Sequence, residues 1–256
     1  MRTCVLIGLL VLSSLLAAGA QAGTKPSVGI PAHVSAAASL GGSFTVNQLG
    51  HAVGTAEFRV APGAGGFDST STVRVSMQGL NYALSKTEQL DAAHHLVYVM
   101  LSATVNDQAV NVTAKPGAGQ LMLNISANGR GSTTKLAEHA AAVFLPDFDP
   151  GALQELLMVA EAQNGRDLWA IVPKKAGSVD AVQLATFADE HGTLNGQPVT
   201  VHHVVATYAG AETDLFADAD NQLLQAELPQ EVFSLIRKGF VLTPPKRPGA
   251  APAAPQ

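Results

Sequence analysis

The sequence predicts a mainly β protein: a strongly curved antiparallel sheet or incomplete barrel packed on one α-helix at about residues 150–163. Three observations carry that expectation. Apolar and polar residues alternate over most of the chain, turn residues recur every ~8 to 12 positions, and one stretch alone has helical spacing with both ends marked.

The chain opens with Arg2, an apolar run from Val5 through Leu16, and Ala18-Gly19-Ala20-Gln21-Ala22. A basic start, a short apolar centre and an A-x-A ending are the parts of a secretory signal peptide, so residues 1–22 are expected to be removed after Ala22. The run falls short of the ~20 apolar residues of a membrane span, and no later stretch is longer. An exported protein, periplasmic or extracellular, with no transmembrane segment in its mature chain is the expectation. The one cysteine, Cys4, leaves with the leader. Disulfides, cysteine nucleophiles and thiolate metal sites are thereby excluded.

Loss of Arg2 leaves 14 basic against 20 acidic residues, a net charge of −6 with histidines neutral. No basic stripe is interleaved with aromatic residues, which speaks against nucleic acid. Lys174-Lys175, Arg237-Lys238 and Lys246-Arg247 read as solvated turn and tail residues rather than a lipid-binding patch.

Residues 23–42, rich in Ala, Ser, Gly and Pro, predict a flexible leading segment, and strands are expected from Ser43. In the single β-rich domain, 43–242, Phe44 and Val46 precede the turn Gln48-Leu49-Gly50-His51. Ala52, Gly54, Ala56, Phe58 and Val60 then alternate with Val53, Thr55, Glu57 and Arg59, completing a hairpin signal. Pro62 to Gly66 breaks the chain. Val73, Val75 and Met77 form the next strand, followed by one around Tyr82 and Leu84. Leu96 to Leu101 reads as a strand buried on both faces. Asn106-Asp107 turns into Val110 and Val112, and Pro116-Gly117 into Leu121, Leu123 and Ile125.

A short helical turn is expected over Lys135 to Val143, and the main helix follows. Asp149 suits the N-cap, Pro150 the first helical position, and Leu153, Leu156, Leu157 and Ala160 make the apolar stripe. Phe148 is placed to staple against Leu153, and Asn164-Gly165 ends the helix. Strands resume over Leu168 to Val172, Val179 to Phe187, Val199 to Tyr208, Leu215-Phe216, Leu224 to Leu228 and Phe240 to Leu242. Residues 243–256, dominated by Pro and Ala, predict a disordered tail.

Chemical motifs are sparse. The pairs His94-His95 and His202-His203 lie in strand-like stretches, where neighbours point to opposite faces, so each pair offers one ligand to a shared site. Zinc would need a third donor such as His191 or Asp189, and no spacing here defines such a site. Glu212, Asp214, Asp218 and Asp220 supply only a fragment of a calcium loop, and a turn with solvated aspartates is the expectation. Ser69, Ser71 or Ser76 could meet a histidine in space, but no nucleophile motif accompanies them. Gly63, Gly65 and Gly66 lack the helix and Lys-Ser/Thr of a phosphate loop. Asn111-Val112-Thr113 and Asn124-Ile125-Ser126 fit glycosylation sequons and read as alternating strand positions. No metal, cofactor or catalytic residue is expected.

Phe44-Thr45-Val46 through Gly50 with Val53-Gly54, and Thr200-Val201 through Asp214 to Asp218 with Asn221 to Leu224, resemble strand pairs of exported bacterial domains of unknown function. Those domains are related in shape to the periplasmic lipoprotein-carrier superfamily. The resemblance covers the ends of the mature chain. It implies a curved antiparallel sheet over a helix with a hydrophobic concavity, and it brings no catalytic residues.

The small residues Ala52, Gly54 and Ala56 would leave room inside such a curve. Each methylene buried there is worth ~0.8 kcal/mol, against an association cost of ~4 to 15 kcal/mol. Phe58, Trp169, Phe187 and the helix leucines would equally well fill it. The expected function is non-enzymatic binding of a lipid, another apolar small molecule or a lipidated partner in the cell envelope, through Ala52, Gly54, Ala56, Phe58, Leu153, Leu157 and Trp169. The alternatives are an envelope scaffold with a filled core, recruiting a partner protein through edge strands, and a hydrolase of dispersed residues.

Overall fold

A computed structural model describes residues 39–175 and 178–244. The expected signal peptide, the leading segment up to residue 38 and the tail beyond 244 lie outside the described residues.

The first eight strands form a meander of hairpins: β1 (Leu40–Gln48), β2 (His51–Gly63), β3 (Gly66–Met77), β4 (Leu80–Asp91), β5 (Leu96–Val105), β6 (Gln108–Gly117), β7 (Gln120–Ala127) and β8 (Arg130–Ala137). β1 thus starts at Leu40, three residues before the expected Ser43. Pro62 lies inside β2 and Pro116 inside β6, so the turns come later than expected, at residues 64–65 and 118–119. Several links are two-residue turns with positive φ at both positions, such as Asn106-Asp107 and Asn128-Gly129. That twist matches the twist of the flanking strands.

Two expectations for this half are corrected. Lys135 to Val143 is not helical: Lys135 belongs to β8, and Ala142–Phe144 is the short strand β9. Leu96 to Leu101 is not buried on both faces, because Val97 and Met100 are 44% and 47% exposed. The register slips opposite Gln89 and Leu90. This bulge at Val97 lets Leu96, Val99 and Leu101 share the buried face despite their uneven spacing.

The helix α1 (Pro150–Ala162) begins at Asp149, whose carboxylate accepts the Gly151 N–H, with Pro150 in the first turn. It ends where Asn164 and Gly165 take positive φ and the Gly165 N–H reaches the Ala160 carbonyl at 2.7 Å. Burial extends beyond a stripe, to nine residues that include Gln154 and Glu155. Gln154 is satisfied by the Asn221 carbonyl and the Leu223 N–H, both at 2.8 Å.

After α1 come β10 (Trp169–Val172), β11 (Ser178–Ala181), β12 (Gln183–Thr186), β13 (Glu190–Leu194), β14 (Gln197–Tyr208), β15 (Ala211–Ala217), β16 (Leu223–Leu228), β17 (Phe233–Arg237) and β18 (Phe240–Leu242). The expected single strand from Val179 to Phe187 is therefore two, and they belong to different sheets. β9, β10 and β11 make a small sheet in which β9 and β10 are parallel. The remaining fifteen strands form one sheet ordered β18-β13-β14-β15-β16-β17-β1 through to β8, with β12 beside β14. Its pairings are antiparallel, and it does not close into a barrel.

The two halves of this sheet meet where β1 pairs with β17, Phe44 opposite Arg237. β17 and β13 were not foreseen. Both are five-residue strands, too short for alternation to be distinctive. The main core lies between the large sheet, α1 and the small sheet, with Phe44, Phe144, Leu156, Ile171 and Leu235 fully buried. A smaller cluster unites Val201, Phe216, Leu224 and Phe240.

The turn at Ala118-Gly119 puts an alanine at φ 55°, where asparagine is the favoured residue. Ala118→Asn is expected to raise stability by about 0.5–1 kcal/mol, read from the urea midpoint at unchanged m-value.

Candidate functional site

One face of β2 to β7 is turned towards α1 and the small sheet. Successive cross-strand partners on it run Phe58, Ser71, Lys86, Leu101, Val112 and Ile125. A neighbouring row runs Ala56, Val73, Leu84, Ala103 and Val110. The face is apolar except near Lys86, and α1 lies over the part nearest β2 and β3. There the helix start comes very close. A Cβ on Gly151 would stand 2.2 Å from Ser71 Oγ and 3.0 Å from Phe58 Cβ.

Beyond the helix the face is not filled. Leu101, Ala103, Val105, Val110, Val112 and Ile125 line a cavity of about 190 Å³, covered by Leu145 to Asp147 and by Pro173 and Lys174. At its rim Lys174 and Asp147 form a 2.7 Å ion pair. Tyr82 donates from its hydroxyl to the Asp147 carbonyl at 3.4 Å. Burial, with Asp147 and Asp149 nearby, pushes that hydroxyl's pKa far up and keeps it a neutral donor. A second cavity of about 70 Å³ lies past the same cover, against Leu153, Tyr208 and Leu235.

The sequence-predicted binding residues are dispersed. Ala52 is exposed, and Gly54 is pressed against β3, where a Cβ would stand 2.2 Å from the Arg74 carbonyl oxygen. Ala56 and Phe58 are core, and Phe58 packs against Phe44 with ring centroids 5.9 Å apart. Leu153 lines the smaller cavity. Leu157 lines an open groove with Leu184, His202 and Asn221. Trp169 stacks on His139 at 3.6 Å. None of the seven lines the 190 Å³ cavity. On the large sheet it is lined by Tyr82 and inward positions of β5 to β7, of which Val110, Val112 and Ile125 lay in the expected alternation and Leu101 in the run expected to be buried on both faces.

The candidate ligand residues have other partners. His202 pairs with Asp189 at 2.8 Å. His203 holds Asp214 at 2.8 Å and Glu190 at 3.3 Å, stacked between Phe187 and Phe216. His95 pairs with Asp91, and His94 stacks on Phe67. Asp218 accepts the N–H groups of Asp220 and Gln222, closing its own turn. Asn111 accepts from Ser102, and Asn124 bonds Thr113 and Thr133, all across strands. Ser76 donates to Asn81.

The sequence reading missed the strongest electrostatic feature. Lys86 is fully buried, with its Nζ 2.8 Å from Glu88, 3.1 Å from Asp149 Oδ2 and 3.2 Å from Glu155. Ser69 and Ser71 stand opposite Glu88 and Lys86 on β3, and neither hydroxyl has a partner. Four polar residues thus occupy the inward phase of two strands otherwise filled by Val73, Val75, Leu84 and Leu90. That interruption of the apolar phase was the available signal.

Three carboxyls surround one ammonium in a fully buried site. Burial pulls the Lys86 ammonium down, but Asp149, Glu155 and Glu88 outweigh this and hold it well above the usual lysine range. Burial, joined by the charge of Glu88, pushes Glu155 well above the usual carboxylate range. Folding thus favours the protonated form of Glu155.

Lys86→Met leaves buried carboxylates without their cation and is expected to cost about 3–5 kcal/mol in denaturant titration. Because folding raises the Glu155 pKa, the folded state binds more protons than the unfolded one above the unfolded pKa of about 4.5. Its contribution therefore makes stability fall as pH rises from there towards the folded pKa, by at most ~1.4 kcal/mol per pH unit for one proton. Glu155→Gln is expected to remove that slope, as melting temperatures between pH 5 and 8 would show.

Comparison with protein-family models, with curated proteins and with solved structures finds no match.

Proposed function

We propose that this is an exported, non-enzymatic protein that shelters an apolar chain, from a lipid or a lipidated partner, against the inner face of β4 to β7. In this reading the large sheet bends around α1, and the helix fills one side of the concavity while leaving the other open. The observation that carries it is the cavity of about 190 Å³ lined by Leu101, Ala103, Val105, Val110, Val112 and Ile125.

Its size defines the ligand. It exceeds the ~150 Å³ of an apolar protein cavity that takes up benzene, yet falls below the ~300–1,000 Å³ of pockets that engulf whole small molecules. Roughly six methylenes fit, worth ~5 kcal/mol gross. That gain lies at the low end of the ~4 to 15 kcal/mol that association costs. Binding is accordingly weak and exchangeable unless the chain continues under Leu145 to Asp147 into the neighbouring cavity. A carrier that must release its cargo has that character.

The test is displacement of an environment-sensitive apolar dye by dodecanoate. Trp169 is unsuited as a reporter, because it stacks on His139 away from the cavity. Ala103→Phe fills the site and is expected to weaken binding at least tenfold while leaving the melting temperature within a few degrees. Equal binding by both proteins, or no lipid in a solvent extract of detergent-free preparations, would move the reading to a scaffold.

A further inference from the structure

We propose that Lys86 and Asp149 join in an intramolecular amide bond that fastens the start of α1 to β4. This is a covalent step separate from ligand binding, and it rests on four features of the buried cluster.

The first is the approach of the two groups. Nζ lies 3.1 Å from Asp149 Oδ2 with both side chains wholly buried, on residues 63 positions apart in sequence. Neither Oδ2 nor either Glu88 oxygen has an aligned hydrogen-bond donor, whereas Glu155 accepts from Nζ at 3.2 Å. A buried acceptor facing an amine without a hydrogen bond to it calls for an explanation.

The second is polarisation of the acceptor carbon. Asp149 Oδ1 takes the Gly151 N–H at 2.8 Å, at the positive end of α1. Such a donor stabilises the negative charge that develops when a nucleophile adds to the carboxyl carbon.

The third is a pair of carboxyls to move protons. Glu88 is the nearest base to Nζ, at 2.8 Å. Glu155 lies at 3.2 Å, and burial and Glu88 favour its protonated form. The step balances with no outside reagent. In the small fraction of molecules in which the ammonium of Lys86, held charged by its three neighbours, yields a proton to Glu88, Asp149 receives one from Glu155. Nζ adds to Cγ, the C–Oδ2 bond breaks, and the oxygen leaves as water. One hydrogen of that water is the proton that Glu155 gave and the other comes from Nζ, and the second proton lost by Nζ restores Glu155, so that Glu88 and Glu155 end in their starting states.

The fourth is the driving force. The reaction replaces a buried cation and a buried anion by a neutral amide, removing two desolvated charges from the interior. The unpartnered hydroxyls of Ser69 and Ser71, beside Glu88 and Lys86, offer hydrogen bonds to the departing water. The geometry favours Asp149 over the other two carboxyls. Glu88 lies only two residues away on the same strand, and neither glutamate has a helix N–H on its carboxyl among the described contacts.

The experiment is mass spectrometry of the full chain as purified, with its N-terminus sequenced. The wild type is expected to be lighter than its sequence by one water. Since trypsin spares both an acylated lysine and Lys115-Pro116, residues 75–130 should emerge joined to residues 136–166. Asp149→Asn keeps a good N-cap and should be lighter by one ammonia instead. Lys86→Arg should have its full mass. Glu88→Gln should slow joining ~100-fold or more, followed in protein harvested at successive times after synthesis. A wild type at full mass, a water loss without the branched peptide, or an Asp149→Asn variant that loses nothing would each overturn the proposal. The wild-type result needs no variant to fold.

Discussion

Lys86 is the constraint from which much of the architecture follows. A cation buried on β4 demands acceptors within reach, and two of its three carboxyl neighbours come from the helix and its cap, Asp149 and Glu155. Pairing them fixes where α1 starts, how far it lies from β3, and why position 151 has no side chain. Gln154, next to Glu155 in sequence, ties the same helix to β16, and Asn221 in the turn before β16 donates to the Leu157 carbonyl and to Glu161 towards the far end. α1 is therefore held by polar contacts at both ends and by leucines between them. A purely apolar helix could slide on an apolar sheet, whereas these contacts define one register. Isolated buried ion pairs contribute little net stability, but breaking one is costly, so their effect here is on specificity of seating.

That seating determines the cavity. With α1 pinned over β2 and β3, the inner face of β5 to β7 is left to the thin cover of Leu145 to Asp147. Small and β-branched residues there, Ala103, Val105, Val110 and Val112, do not reach far enough to fill the gap. Open space and filled core thus coexist on one sheet, side by side.

Much of the fold was legible in the sequence. The period-two alternation around Phe44 to Val60, Val73 to Leu84 and Val110 to Ile125, with the turn at Asn106-Asp107, predicted hairpins that the structure contains, and Asp149-Pro150 with Asn164-Gly165 marked both ends of α1. Long-range choices were not legible. Nothing in Phe233 to Arg237 says that this strand pairs with β1, since pairing partners are selected by the assembled sheet. The site escapes the sequence for a related reason. Small residues at Ala52, Gly54 and Ala56 suggest room, but Ala52 is exposed, Gly54 is pressed against β3 and Ala56 is packed in the core. Lys86 and Glu88 escape notice because charged residues in strands ordinarily face solvent, although their phase matches Leu84 and Leu90.

The pairing of β1 with β17 has a consequence for how the chain acquires its form. The eight N-terminal strands are joined by tight turns and lie in order, so they can assemble as they become available. The partner for the outer side of β1 lies almost two hundred residues later. Until it arrives, Phe44 and Val46 have only half of their cover and β1 is a bare edge, open to any other extended segment. A molecule cut short before Phe233 would keep its long meander but carry that adhesive border permanently, making premature termination a route to aggregates rather than to a smaller working unit.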